Sequence, residues 1–134
     1  MKRTISAFLI FVTIFAVACP VQAAEPRYAN ASILTVSMSI GSSGAASIVV
    51  RMSGNTSSAQ VSVSTCIEKK VGTTWTRVDL GTTNDVWEYT TANASLIKTY
   101  TAQLSSTGEY RAVAEFTLTG TTVEEVIKTA TATY

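Results

Sequence analysis

The chain has 134 residues, with ten Lys and Arg against nine Asp and Glu, a formal net charge of +1 and no histidine. The missing histidine excludes Ser-His-Asp and Cys-His catalysis and His-ligated zinc, and two cysteines cannot build a cysteine metal cage. The near-balanced charge leaves nucleic-acid binding without an electrostatic basis.

Met1-Lys2-Arg3 is a basic head, and Ile5 to Ala18 is an almost unbroken apolar run. Val21-Gln22-Ala23-Ala24 then places small residues where a signal peptidase cuts. The run falls short of the roughly 20 residues of a spanning helix. Residues 1–23 therefore read as a cleavable signal peptide, with cleavage after Ala24 the close alternative. The exported protein is expected to be secreted and extracellular, with no membrane span. Phe15-Ala16-Val17-Ala18-Cys19 also loosely resembles a bacterial lipoprotein box, in which Cys19 would carry the lipid; Ala16 stands where that pattern prefers Leu. Cleavage after Ala23 leaves 111 residues, a usual size for one domain, with eight basic residues against nine acidic. It also leaves Cys66 as the one cysteine, an unpaired thiol with no intrachain disulfide.

Residues 24–31 read as a short tether and residues 32–134 as one domain. Ser and Thr make up roughly three in ten of these residues, and Thr and Val suit a pleated surface. The apolar period is close to two and is broken at regular spacing by turn residues, which predicts an all-β sandwich or barrel. Strands are predicted at 33–40, with Leu34, Val36, Met38 and Ile40 on one face, and at 45–53, with Ile48, Val50 and Met52 facing in. A third covers 59–70, with Val61, Val63, Thr65 and Ile67 in phase. Val71-Gly72-Thr73 turns the chain into a strand over 74–80. A short edge strand is expected near 86–90. Three more follow at 95–104, 109–118 and 123–133, seven or eight in all.

Leu104-Ser-Ser-Thr-Gly108-Glu-Tyr110-Arg-Ala112 resembles the corner that opens a strand in immunoglobulin-like domains. There a Gly lets the chain turn and the hydroxyl of a Tyr two residues later bonds back to nearby backbone. The resemblance gives Leu104, Gly108 and Tyr110 these corner roles. Antibody domains carry a Cys two residues after the Tyr, and here that position is Ala112. What the resemblance implies is an immunoglobulin-like antiparallel β-sandwich without its disulfide, like the fibronectin type III kind. Ile67-Glu68-Lys69-Lys70, Gly72, Thr74-Trp75, Lys98-Thr99-Tyr100 and Gly108-Glu109-Tyr110-Arg111 also resemble a set of small uncharacterised secreted bacterial proteins from Gram-positive anaerobes. That likeness implies export and fold and no particular activity.

The catalytic inventory is poor. Glu68 and Glu115 are the strand carboxylates that could approach each other, but both run out of phase with the apolar face. Asp79, Asp85 and Glu88 are the densest acidic group and match no calcium-loop spacing. No catalytic residue, metal ligand or cofactor is therefore expected. Among the aromatics, Trp75 is expected to be at least partly in the core. Trp87, with Tyr89, is the candidate binding surface on the uncertain edge strand. Strand phase puts Cys66 toward solvent, while the burial usual for free cysteine puts it under a neighbouring loop. The function expected is a non-catalytic binding or adhesion module touching a protein or glycan through an aromatic patch or strand edge. The alternative is a structural, self-associating subunit of an extracellular assembly.

Overall fold

The computed structural model describes residues 28–55, 60–93 and 95–134. The stretch read as a signal peptide, residues 1–23, and the expected alternative lipidation at Cys19 lie outside the described residues. Eight strands follow in order: β1 (Ala31–Ile40), β2 (Ala45–Gly54), β3 (Gln60–Val71), β4 (Thr74–Arg77), β5 (Trp87–Thr91), β6 (Ser95–Gln103), β7 (Glu109–Thr119) and β8 (Val123–Thr133), with one 3₁₀ turn at Thr83–Asp85. The alternation of the sequence is thus realised nearly strand for strand. The exception is β4, which stops at Arg77 and not at Leu80. Val78 N still bonds Ile67 O at 2.9 Å. Beyond it, Asp79 Oδ1 accepts Gly81 N (2.8 Å) and Asp85 Oδ1 accepts Leu80 N (3.1 Å). Short side chains that capture local backbone donors compete with the ladder, and here they win.

The strands form two antiparallel sheets. The smaller has the order β1-β2-β6; the larger has the order β4-β3-β7-β8, with β5 pairing β3 on the same edge as β4. The sheets face each other through the inner residues of every strand, the arrangement of a β-sandwich. Ile48, Val50 and Met52 of β2 meet Val61, Val63 and Ile67 of β3 and Ala112, Ala114, Phe116 and Leu118 of β7 in one cluster. Each fully buried large apolar side chain contributes roughly 1.5–3 kcal/mol. Thr65 shares this inner phase and is wholly buried, yet its hydroxyl has no hydrogen-bond partner.

Three residue pairs fix the lower end. Tyr110 is buried at the start of β7, and its hydroxyl donates to Ser106 O at 2.6 Å. Leu104 is buried beneath it, and Leu104 N bonds Gly44 O at 2.9 Å. Gly108, at φ +149, exchanges backbone bonds with Tyr134 in both directions (3.1 and 2.9 Å). Gly44 is required to be glycine: its φ is +82, and an added Cβ would lie 2.6 Å from Leu104 O and 2.8 Å from the Tyr134 ring.

Two substitutions test this account by thermal or urea unfolding. Tyr110→Phe should cost about 1 kcal/mol by deleting the buried hydroxyl bond. Thr65→Val should raise stability by up to about 1 kcal/mol, because it keeps the β-branched shape and removes an unsatisfied buried hydroxyl. A destabilised Thr65→Val protein would mean that this hydroxyl is satisfied after all.

Candidate functional surfaces

The sandwich has two outer faces and two long sides, and the side chains divide unevenly among them. Strands β1, β2 and β6 carry only Arg51 and Lys98 as charges. The outer face of the larger sheet carries most of the rest, in cross-strand rows set by register. Glu68 stands between Arg77 and Arg111, and Ser64 between Glu88 and Glu115.

Trp75 belongs to that outer face and not to the core. It lies opposite Lys70, with the Lys70 ammonium 5.7 Å and the Arg111 guanidinium 4.5 Å from its ring centroid. Two ion pairs hold the cations in place: Arg111 to Glu68 at 2.6 Å and Lys70 to Glu109 at 2.9 Å. The expectation of a core Trp75 fails because β4 is an edge strand and its register turns this residue outward. The same ion pair takes Glu68 away from any catalytic partnership with Glu115.

Trp87 and Tyr89, the expected binding surface, are both partly buried. Register places them opposite Thr65 and Val63, on the inner face of β5, where both are half-buried against the core. Trp87 stacks on Tyr100 of β6, with centroids 4.9 Å apart and planes within 2°. The Lys98 ammonium sits 3.7 Å above the Tyr89 ring. These pairs bridge the β5 and β6 edges and close that side of the sandwich. The expectation of an exposed Trp87 patch arises because a five-residue strand, Trp-Glu-Tyr-Thr-Thr, does not show by itself which of its two faces turns toward the core. Tyr100, with a buried hydroxyl lacking a partner, has its phenol pushed above its usual pKa by burial, and further by Tyr89. Each of these rings thus already has a face engaged by an internal partner.

Cys66 is on the outer face, opposite Val113, as strand phase required, and it is nevertheless buried. The Arg77 guanidinium lies near the thiol and donates to Asn84 O at 3.5 Å. Burial raises the thiol pKa, and the effect exceeds the opposing pull of Arg77; Glu68 and Glu115 raise it further. Of the acidic residues of the 79–88 segment, Asp79 and Asp85 spend a carboxylate oxygen on backbone donors. Among the described residues no group of three acidic or cysteine side chains converges on a metal-sized site.

The opposite side presents two strand edges, which sequence reading left undistinguished from the other edges. Gly108 and Tyr134 exchange both backbone bonds, so in the β7–β8 ladder the even residues of β8 bond β7. The N–H and C=O groups of Val123, Glu125, Ile127, Thr129, Thr131 and Thr133 therefore point away from the sheet. In β1 the bond from Gly41 N to Ala45 O sets the opposite parity, and the backbone groups of Leu34, Val36, Met38 and Ile40 face outward. Neither strand contains Pro, and Val123 and Ile127 are 66% and 64% exposed.

Comparison with protein-family profiles, with curated proteins and with solved structures finds no match. Among the described residues no helix is long and apolar enough to cross a membrane.

The Cys66 environment makes a kinetic prediction. At about pH 8, alkylation should be at least about tenfold slower in the folded protein than in the unfolded chain, because only the exposed thiolate reacts. Arg77→Ala should accelerate it. Equal folded and unfolded rates would show that the thiol is open to solvent.

Proposed function

We propose that this protein is an exported, non-catalytic recognition module that engages a protein partner through strand-edge pairing on its β1/β8 side. The observation that carries this reading is β8 itself. It is an eleven-residue strand of alternating half-buried and exposed residues, with one full row of backbone donors and acceptors facing outward. Such an edge is a ready template for another chain: main-chain bonds supply affinity and side chains at alternate positions supply selectivity. The aromatic-platform reading, which would suit a glycan, has less support because Trp75, Trp87 and Tyr89 already have a ring face engaged by Lys, Arg or Tyr.

The finer fold assignment belongs here as well. The order β1-β2-β6 against β4-β3-β7-β8, the missing inter-sheet disulfide and the Tyr110 corner support an immunoglobulin-like sandwich of the fibronectin type III kind. Export rests on the basic, apolar and small-residue pattern of residues 1–23, in a Gram-positive bacterial setting. The alternative, a structural subunit of an extracellular assembly, draws on the same open edges, since the next subunit would be the partner.

The test is an array of extracellular proteins and glycans probed with the wild type and with Thr129→Pro. Thr129 N–H faces away from β7, so proline there removes one edge donor without breaking a β7–β8 bond. Ligand binding should fall at least about tenfold, the equivalent of about 1.4 kcal/mol, with the thermal midpoint held within a few degrees. A ligand, protein or glycan, held equally by both forms would sink the edge reading.

A further inference from the structure

The two sides of the sandwich are guarded very differently. On the first, β4 and β5 are four and five residues long and are separated by the 78–86 segment. Their neighbour β6 points Lys98 inward, and the Trp87–Tyr100 stack seals the gap. Short strands, interruptions and inward charges are the means by which proteins blunt an edge. On the second side, β1 and β8 are uninterrupted over ten and eleven residues. β1 has no charged residue at all. β8 has two inward charges: Lys128, which lies 5.2 Å from the Tyr28 ring, and Glu124, whose carboxylate accepts Ala29 N and Asn30 N.

The two open edges also run side by side in the same direction. At one end Asn30 Nδ2 donates to Thr122 O at 2.9 Å, and Asn30 N to Glu124 Oε2 at 3.2 Å. At the other, Gly44 rests against the Tyr134 ring. Between these anchors β1 packs on β8, and counting four residues along both strands from the Asn30–Thr122 bond sets Leu34 about level with Val126. One two-fold axis normal to the strands can therefore serve both edges at once, joining each sheet to its copy.

We infer that the β1/β8 side is a homodimer interface, in which a second copy pairs antiparallel with both edges and makes two continuous sheets. The inference rests on the edge reading above and names its occupant. Charge selects the register. The outward backbone groups of β8 all belong to odd residues, so only registers that set odd against odd form bonds. Those that oppose Glu124, Glu125 or Lys128 to its own copy place like charges face to face, which is unfavourable. The register centred on Val126 puts Glu124 opposite Lys128 of the second copy, twice by symmetry. It pairs Glu125 with Ile127 and Val123 with Thr129. On β1 the same axis passes near Leu34, where the strand carries no charge to oppose it. A self-complementary patch related by a two-fold is the isologous arrangement that closes at two copies.

Sedimentation equilibrium on the purified protein should show a mass rising from one chain to two with concentration. Lys128→Glu, which faces Glu124 of the second copy with a carboxylate, should weaken the dimer at least about tenfold. Thr129→Pro should do the same while circular dichroism stays unchanged. Under mild oxidation Val126→Cys should form an intersubunit disulfide, since residue 126 meets itself about 4.5 Å away, Cα to Cα, in a non-hydrogen-bonded pair. Thr129→Cys should not. Cross-linking at Thr129→Cys in place of Val126→Cys, or a dimer indifferent to Lys128→Glu and Thr129→Pro, would overturn the interface. So would a single-chain mass up to about 1 mM. A single-chain mass together with edge-dependent capture of an array ligand refutes the dimer and leaves the recognition module standing. A dimer whose array binding ignores Thr129→Pro does the reverse.

Discussion

The pairing of β3 with β7 is the constraint on which the remaining structure depends. Ten consecutive pairs, from Gln60–Thr119 to Lys69–Tyr110, join these strands without a register shift. Every other strand of the larger sheet hangs on this pair: β4 and β5 on the free edge of β3, β8 on the free edge of β7. The inner face of the pair alternates large and small residues, with Phe116 and Leu118 beside Ala112 and Ala114. The wholly buried alanines let the smaller sheet approach closely. A one-residue slip would send this whole set to solvent, so core packing and register enforce each other. The Tyr110 hydroxyl bond and the glycines at 44 and 108 pin the lower end. Cys66 sits on the outer face of β3 with no cysteine partner, so cohesion among the described residues comes from packing and pairing.

The same register distributes chemistry. Odd positions of β3 look into the core and even ones look out, so Glu68, Lys70 and Cys66 share the outer face with Arg111 and Trp75. Charges there neutralise one another in short pairs and hold the β4 edge down through the Trp75 ring. Exposed pairs of this type contribute little each; their value is in orienting the short strand. Further along the same side, Lys98 and the Trp87–Tyr100 stack do comparable work between β5 and β6. The aromatic residues thus act as internal closures, and the unpaired groups along the β1/β8 side are mainly backbone.

Alternation made most of the strands legible in advance. Leu34, Val36, Met38 and Ile40, or Val61, Val63, Thr65 and Ile67, can be assigned to one face by counting alone, because side chains in a strand alternate strictly. The Gly108–Tyr110 corner was legible because its residue types have a narrow use. The segment 74–91 was not. Its strands are too short to show a period, and the fate of Trp75 and Trp87 turned on which neighbour each strand met. The Asp79 and Asp85 backbone bonds that end β4 early are local competitions invisible to a hydrophobic pattern.

The sequence by itself determined an all-β chain, its strand boundaries to within a few residues, the inner face of each long strand and the want of histidine chemistry. These follow from composition and period, which are properties of the chain alone. Only tertiary structure decided which strands are edges, which backbone groups are left facing outward, that Trp87 meets Tyr100, and that Arg77 stands near Cys66. Those outcomes depend on pairing between residues far apart in the chain. The β1/β8 side is open for that reason: its last neighbours in each sheet are chosen by topology, and no residue of either strand announces in sequence that it will stand at an edge.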